Sequence, residues 1–129
     1  MGRVSVLIVD DDERFSHALE ALLEADGRFD VVGWASNGAE AVGLASSRRP
    51  DVVTMDIAMP VLDGVEATRA ICDAFPRIHV VILTGSQGGD DVEEALEAGA
   101  VAHVAKGRAA EELPDVLVAA VEGRLPQPR

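Results

Sequence analysis

The sequence predicts an α/β domain, a doubly wound sheet of five parallel strands. Five short runs rich in β-branched residues recur along the chain, and the segments between them carry apolar residues at helical spacing. Most of the runs also lack polar alternation, as expected of strands covered on both faces. The runs are Val4–Val9, Val31–Ala35, Val52–Met55, Val80–Leu83 and Val101–Val104. With a helix after each strand the order is (βα)5, and right-handed crossovers place helices on both sides of the sheet.

The first helix is expected to bury a stripe of Phe15, Ala18, Leu19, Leu22 and Leu23, and the last a stripe of Leu113, Val116, Leu117, Ala120 and Val121. Three middle helices carry the signature of a capping residue followed three positions later by glutamate: Asn37 with Glu40, Asp63 with Glu66, Asp90 with Glu93. Gly27, Gly99 and Gly123 follow helical segments, where a left-handed residue closes the last turn. Met55, Met59, Phe75, Trp34 and the lone Cys72 read as packing residues.

A chain of 129 residues with 48% hydrophobic content is enough for one core. Its 23 acidic against 11 basic residues, net −12, argue against direct nucleic-acid binding. One cysteine leaves no disulfide or multi-cysteine zinc site and suits a reducing cytoplasm. The first apolar run ends in Asp10, Asp11, Asp12 and Glu13, so it is expected to be neither a leader nor a membrane span.

In such a fold the site lies beyond the carboxyl ends of the strands. Those ends carry Asp10 and Asp11, then Asp56, Thr84 and Lys106. Carboxylates gathered there repel one another by roughly 4 kcal/mol per pair at about 4 Å and an effective dielectric of about 20, so positive charge is needed. Oxygen ligands without histidine or thiol suit a hard cation that keeps its waters, magnesium before zinc, and Lys106 adds a fixed charge. A metal, an ammonium and a hydroxyl around one carboxylate suit phosphoryl transfer, with Asp56 as nucleophile. Singly, each residue has a commonplace structural use; their joint placement carries the argument.

The stretches VLIVDDDERF, DVVTMDIAMPVLDG, VVILTGS and AHVAKG resemble the receiver family of two-component signalling, from Val4 to about Gly123. The resemblance implies the flavodoxin-like receiver fold and a phosphoacceptor that catalyses only its own phosphorylation and dephosphorylation. It implies that Asp56 takes a phosphoryl group from a sensor histidine kinase. Asp11 and Asp56 would ligate Mg2+ directly, Asp10 through a bound water, and Ala58 through its backbone carbonyl. Lys106 and Thr84 would hold phosphoryl oxygens, Gly85 would leave access to the aspartate, and Thr84 with His103 would form the switch. The family usually places an aromatic ring at the switch position, and many relatives have proline where Gly107 stands. Family geometry suggests a cis Lys106–Gly107 peptide, at a cost of about 3 to 4 kcal/mol.

A flavin-binding domain of the same topology would need a phosphate-cradling loop where Asp10–Glu13 stand. An aspartate-dependent phosphatase would carry another Asp where Ala58 stands. A stand-alone or degenerate receiver, acting only as an interaction module, is the alternative. The domain is expected to span residues 1–123, with 124–129 a tail or linker. The ending VAAVEGRLPQPR resembles the start of the linker in NarL/FixJ-type regulators, implying an attached helix-turn-helix output domain and leaving homodimerisation on phosphorylation open. The signal would travel to the face formed by Asp90–Ala98, Val101–Val104 and Ala110–Glu122. The small and polar run Gly85–Gly89 should leave the backbone mobile enough to follow Thr84. A cytoplasmic protein with no membrane partner is expected.

Overall fold

Buried strands alternate with amphipathic helices in a computed structural model that describes residues 2–57, 59, 63–85 and 89–125. In chain order these are β1 (Val4–Val9), α1 (Glu13–Asp26), β2 (Phe29–Ala35), α2 (Gly38–Arg48), β3 (Val52–Asp56), α3 (Gly64–Ala74), β4 (His79–Thr84), α4 (Asp90–Ala98), β5 (Ala102–Ala105) and α5 (Ala109–Glu122). A single 3-10 turn, Lys106–Arg108, joins β5 to α5. The sheet order is β2-β1-β3-β4-β5 and every pairing is parallel, as the alternation of strand and helix predicts.

Strand alternation divides the interior in two. Leu7, Val9, Val53, Met55, Val80 and Ile82 face α2, α3 and α4, where they meet Ala41, Ala45, Ile71 and Ala95. Val6, Ile8, Val52, Val81, Leu83 and Val104 face α1 and α5, where they meet Leu19, Leu23, Leu113 and Leu117. Leu113 and Leu117 are fully buried, and each contributes on the order of 2 kcal/mol by leaving water.

Several local expectations shift. Strand β2 starts at Phe29, whose ring is buried and pairs with Val4 across the ladder. Helix α1 buries Ser16, Leu19 and Leu23, with Phe15 and Leu22 flanking, so Ala18 falls outside the stripe and is exposed. Helix α4 is capped by Gly89 rather than Asp90: Glu93 N–H donates to the Gly89 carbonyl, and Asp90 becomes the first helical residue. Asp90, Asp91 and Glu93 still favour that end by facing the positive pole of the helix. Asn37 and Asp63 cap α2 and α3 as expected, accepting from Glu40 N–H and Glu66 N–H.

The Lys106–Gly107 peptide is trans, since no cis bond occurs among the described residues. Without a proline ring at position 107 nothing lowers the cost of the cis form, and the chain passes directly into the 3-10 turn. Trp34 is not a core residue; it is 48% exposed on the edge strand β2. No helix among the described residues is long and apolar enough to cross a membrane.

Candidate functional site

The carboxyl ends of β1, β3, β4 and β5 lie side by side, and their last residues converge. Asp56 ends β3 opposite Leu83, and Thr84 ends β4 opposite Ala105, immediately before Lys106. Val9 pairs with Met55, so Asp10 emerges beside Asp56. Asp10, Asp56 and Thr84 are buried, whereas Asp11 is exposed.

One carboxylate oxygen from each of Asp10, Asp11 and Asp56 lies within 4.8 Å of the others, close enough for one cation to touch all three. Lys106 Nζ lies 2.6 Å from Asp10 Oδ2 and 3.5 Å from Asp56 Oδ2. Burial alone would lower the pKa of Lys106, but Asp10 and Asp56 outweigh it and hold the ammonium above its ordinary value. One ammonium against three carboxylates leaves a net charge of −2, which favours a further cation.

Asp10 also supports the loop. Its Oδ1 accepts from Asp12 N–H at 2.9 Å, while Asp12 caps α1 by accepting from Arg14 N–H and Phe15 N–H. Asp10 Oδ2 is met by the Lys106 ammonium at 2.6 Å and has no other partner among the described residues. A buried, hard oxygen acceptor of this kind beside two more carboxylates fits a magnesium-like ion and does not suit a soft one.

The chain leaves Asp56 through a tight crossing. Gly64 N–H donates to the Ile57 carbonyl at 3.2 Å, and a Cβ on Gly64 would overlap the Asp56 carbonyl oxygen and lie 2.7 Å from Ile57 Cα. Thr68 Oγ1 donates to the Gly64 carbonyl at 2.6 Å, tying this crossing to α3. Glycine is required there by the close approach of two backbones.

Gly85 is exposed, and a Cβ there would meet no heavy atom of the described residues within 4 Å. His103 is exposed on β5, one strand away from Thr84. Ala58, Ser86, Gln87 and Gly88 lie outside the described residues.

Two neighbours of the site escape a sequence reading. Phe15, assigned to the helical stripe, places its ring centroid 4.7 Å from Lys106 Nζ. That contact draws the ammonium toward α1. Trp34 meets the His17 ring at 5.3 Å, and both line a cavity of about 250 Å3 with Asp10, Glu13, Ser16 and Glu40. Periodicity cannot find either contact, because each joins side chains on two different elements, α1 with the turn after β5 in one case and α1 with β2 in the other.

A family model described as the response regulator receiver domain matches residues 6–118. The chain is 39% identical to the transcriptional regulatory protein LiaR of Bacillus subtilis over 93% of its own length and 57% of that protein. It is 46% identical to protein-glutamate methylesterase/protein-glutamine glutaminase 3 of Hahella chejuensis over 76% of its length and 28% of that protein. The chain therefore spans little more than half of the first relative and less of the second. Among solved structures, the signal receiver domain of NarL from Mycobacterium tuberculosis superposes with a TM-score of 0.90 at 27% identity, covering 96% of this chain and 100% of that one.

Proposed function

Because the chain belongs to the response regulator receiver domain family, we propose that Asp56 accepts a phosphoryl group from the phosphohistidine of a sensor histidine kinase. The observation that carries this reading is the meeting of Asp10, Asp11, Asp56 and Lys106 at the carboxyl edge of the sheet. Asp10, Asp11 and Asp56 would hold Mg2+, with the Ala58 carbonyl as a further ligand, and the bound ion supplies positive charge for the equatorial phosphoryl oxygens.

Asp56 Oδ would attack phosphorus in line, the O–P bond forming as the P–N bond breaks, with the electron pair left on the imidazole nitrogen, which takes a proton from solvent. Lys106, held above its ordinary pKa, stays protonated and is drawn from Asp10 and Asp56 to a phosphoryl oxygen. Thr84, buried at the end of β4, would donate its hydroxyl to another. Gly85 leaves the approach open, and His103 on the adjacent strand would answer the movement of Thr84.

The two curated relatives named above are longer proteins, one a transcriptional regulator and one an enzyme acting on protein glutamate. The longer match to the regulator, 93% of this chain against 76%, favours transcription control through an attached output domain. The kinase is then the first partner, and phosphorylation-dependent pairing of receivers the second.

Incubation with Mg2+ and acetyl phosphate, followed by intact-mass measurement, tests the reading. One phosphoryl adduct on the wild type and none on Asp56→Asn supports it. No adduct on the wild type, with no binding of beryllium fluoride, would favour a receiver that serves only as an interaction module.

A further inference from the structure

The opposite edge of the sheet holds a second concave site that the phosphoacceptor chemistry does not use. Between the end of α2 and the loop joining α3 to β4 lies a half-open cavity of about 450 Å3. Its walls include Arg49, Arg77, Phe75, Pro50, Pro76 and Asp51. That volume is within the range of small-molecule sites, and the mixture of apolar surface with few charged groups is their usual lining.

Arg49 is held there at a conformational cost. It closes α2 in the left-handed region, φ 46° and ψ 58°, and is the only residue other than glycine with positive φ among the described residues. Glycine or asparagine normally takes this place, because a Cβ there crowds the backbone. A backbone held in this region by a residue other than glycine persists where something holds or uses it. Arg49 Nε donates to the Ser46 carbonyl at 2.9 Å and the guanidinium carbon stands 4.6 Å from the Phe75 centroid. The charged fork is thereby fixed on an aromatic face.

The charges of this cavity are unbalanced. Acidic residues outnumber basic ones 23 to 11, yet neither Arg49 nor Arg77 makes an ion pair among the described residues. Asp51 is the acidic residue on the wall, and its Oδ2 accepts Ser5 N–H at 2.9 Å. Two guanidinium groups against one carboxylate leave the wall with a net charge of +1 in a chain of −12.

We infer that this cavity binds a small aromatic phosphate of the nucleoside monophosphate class. The phosphate would lie between Arg49 and Arg77, whose planar forks match its oxygens, and the ring system would lie against the walls of Pro50 and Pro76. A strained arginine, an unpaired second arginine and an apolar slot are together explained by one ligand with a charged end and a flat end. This site is separate from Asp56, so its test does not depend on phosphorylation.

Amide NMR titration of the 129-residue chain with AMP, adenosine and inorganic phosphate tests it. The expected result is saturable shifts confined to the amides of Arg49, Asp51, Ala74, Phe75, Arg77 and Ile78 with AMP at millimolar concentration, weaker ones with phosphate, and none with adenosine. Arg77→Gln should weaken AMP by about tenfold or more, the usual weight of a lost charge-assisted hydrogen bond. Arg49→Gly separates binding from folding: it relieves the left-handed strain and keeps the thermal midpoint, yet should lose AMP by a similar factor. No shift with AMP, equal binding of adenosine, unchanged affinity in both variants, or stronger binding of an acidic peptide at the same residues would each overturn the inference.

Discussion

Lys106 lies closer to Asp10 than to Asp56, 2.6 Å against 3.5 Å, so the ammonium rests on Asp10 rather than on the proposed nucleophile. A dication arriving at the three carboxylates must therefore share Asp10 with it. Lys106→Met removes that competition and should tighten Mg2+ on the order of tenfold. The same change should slow phosphorylation by acetyl phosphate about a hundredfold or more, because a donor to the developing charge is gone. Trp34, the only tryptophan, lines the cavity that reaches Asp10, and its fluorescence offers the Mg2+ titration. Unchanged or weaker Mg2+ binding in the variant would contradict this arrangement.

Alkaline stability should fall in two separable steps. Burial, aided by Asp73, pushes the Cys72 thiol up from 9.0 to about 11. The unfolded thiol ionises first, so its contribution is intact below pH 9 and is lost as pH rises toward about 11. Lys106 is also raised, from 10.5, so its contribution is intact below pH 10.5 and disappears only above it. The chain has no tyrosine and no other lysine to obscure these steps. Urea midpoints against pH should show the wild type declining from about pH 9, and Cys72→Ala holding until about pH 10.5. Lys106→Met should keep the earlier decline and lack the later one. A decline from pH 9 that persists in Cys72→Ala would remove the thiol from this account.

Gly64→Ala should damage both fold and chemistry. The added Cβ would meet backbone of Asp56 and Ile57, which cannot step aside as a side chain could. A loss of about 2 kcal/mol or more in urea unfolding is expected, with phosphorylation slowed at least about tenfold even at temperatures where the variant is folded. Stability lost without any change in phosphorylation rate would show that the loop absorbs the methyl group without moving Asp56.

Thr54→Val should stabilise the domain. Thr54 is fully buried on β3 between Ile8 and Val81, and its Oγ1 has no hydrogen-bond partner among the described residues. Replacing a desolvated hydroxyl by a methyl group of the same shape should add about 1 kcal/mol. A urea midpoint that falls would indicate that the hydroxyl is satisfied after all.

The fold was legible because its determinants are local: β-branched runs, helical spacing, Asn37 and Asp63 as caps, and glycines at helix ends. The convergence of Asp10, Asp11, Asp56 and Lys106 was also legible, since a parallel sheet brings all its carboxyl ends to one edge. What failed turned on single-residue competition. Asp90 looks like a cap, but Gly89 takes the non-helical position more cheaply. Ala18 sits within one turn of the buried stripe yet on its solvent side, and an alanine is too small to draw a helix round. Trp34 lies on an edge strand, where half of a large ring can remain in water beside His17. The cis peptide came from analogy with proline-bearing relatives, and Gly107 does not share the chemistry that makes it cheap.

The two cores described above have a mechanical consequence. A sheet one backbone thick insulates them, so substitutions at Leu23 on one side and Ile71 on the other should behave as independent perturbations. Alternation along the strands sends Asp56 toward the α1 and α5 side and Thr84 toward the α2, α3 and α4 side, and they meet only where the sheet ends. The phosphoacceptor edge is thus a seam between two otherwise separate halves, and a group clasped there by both residues would fasten one half to the other.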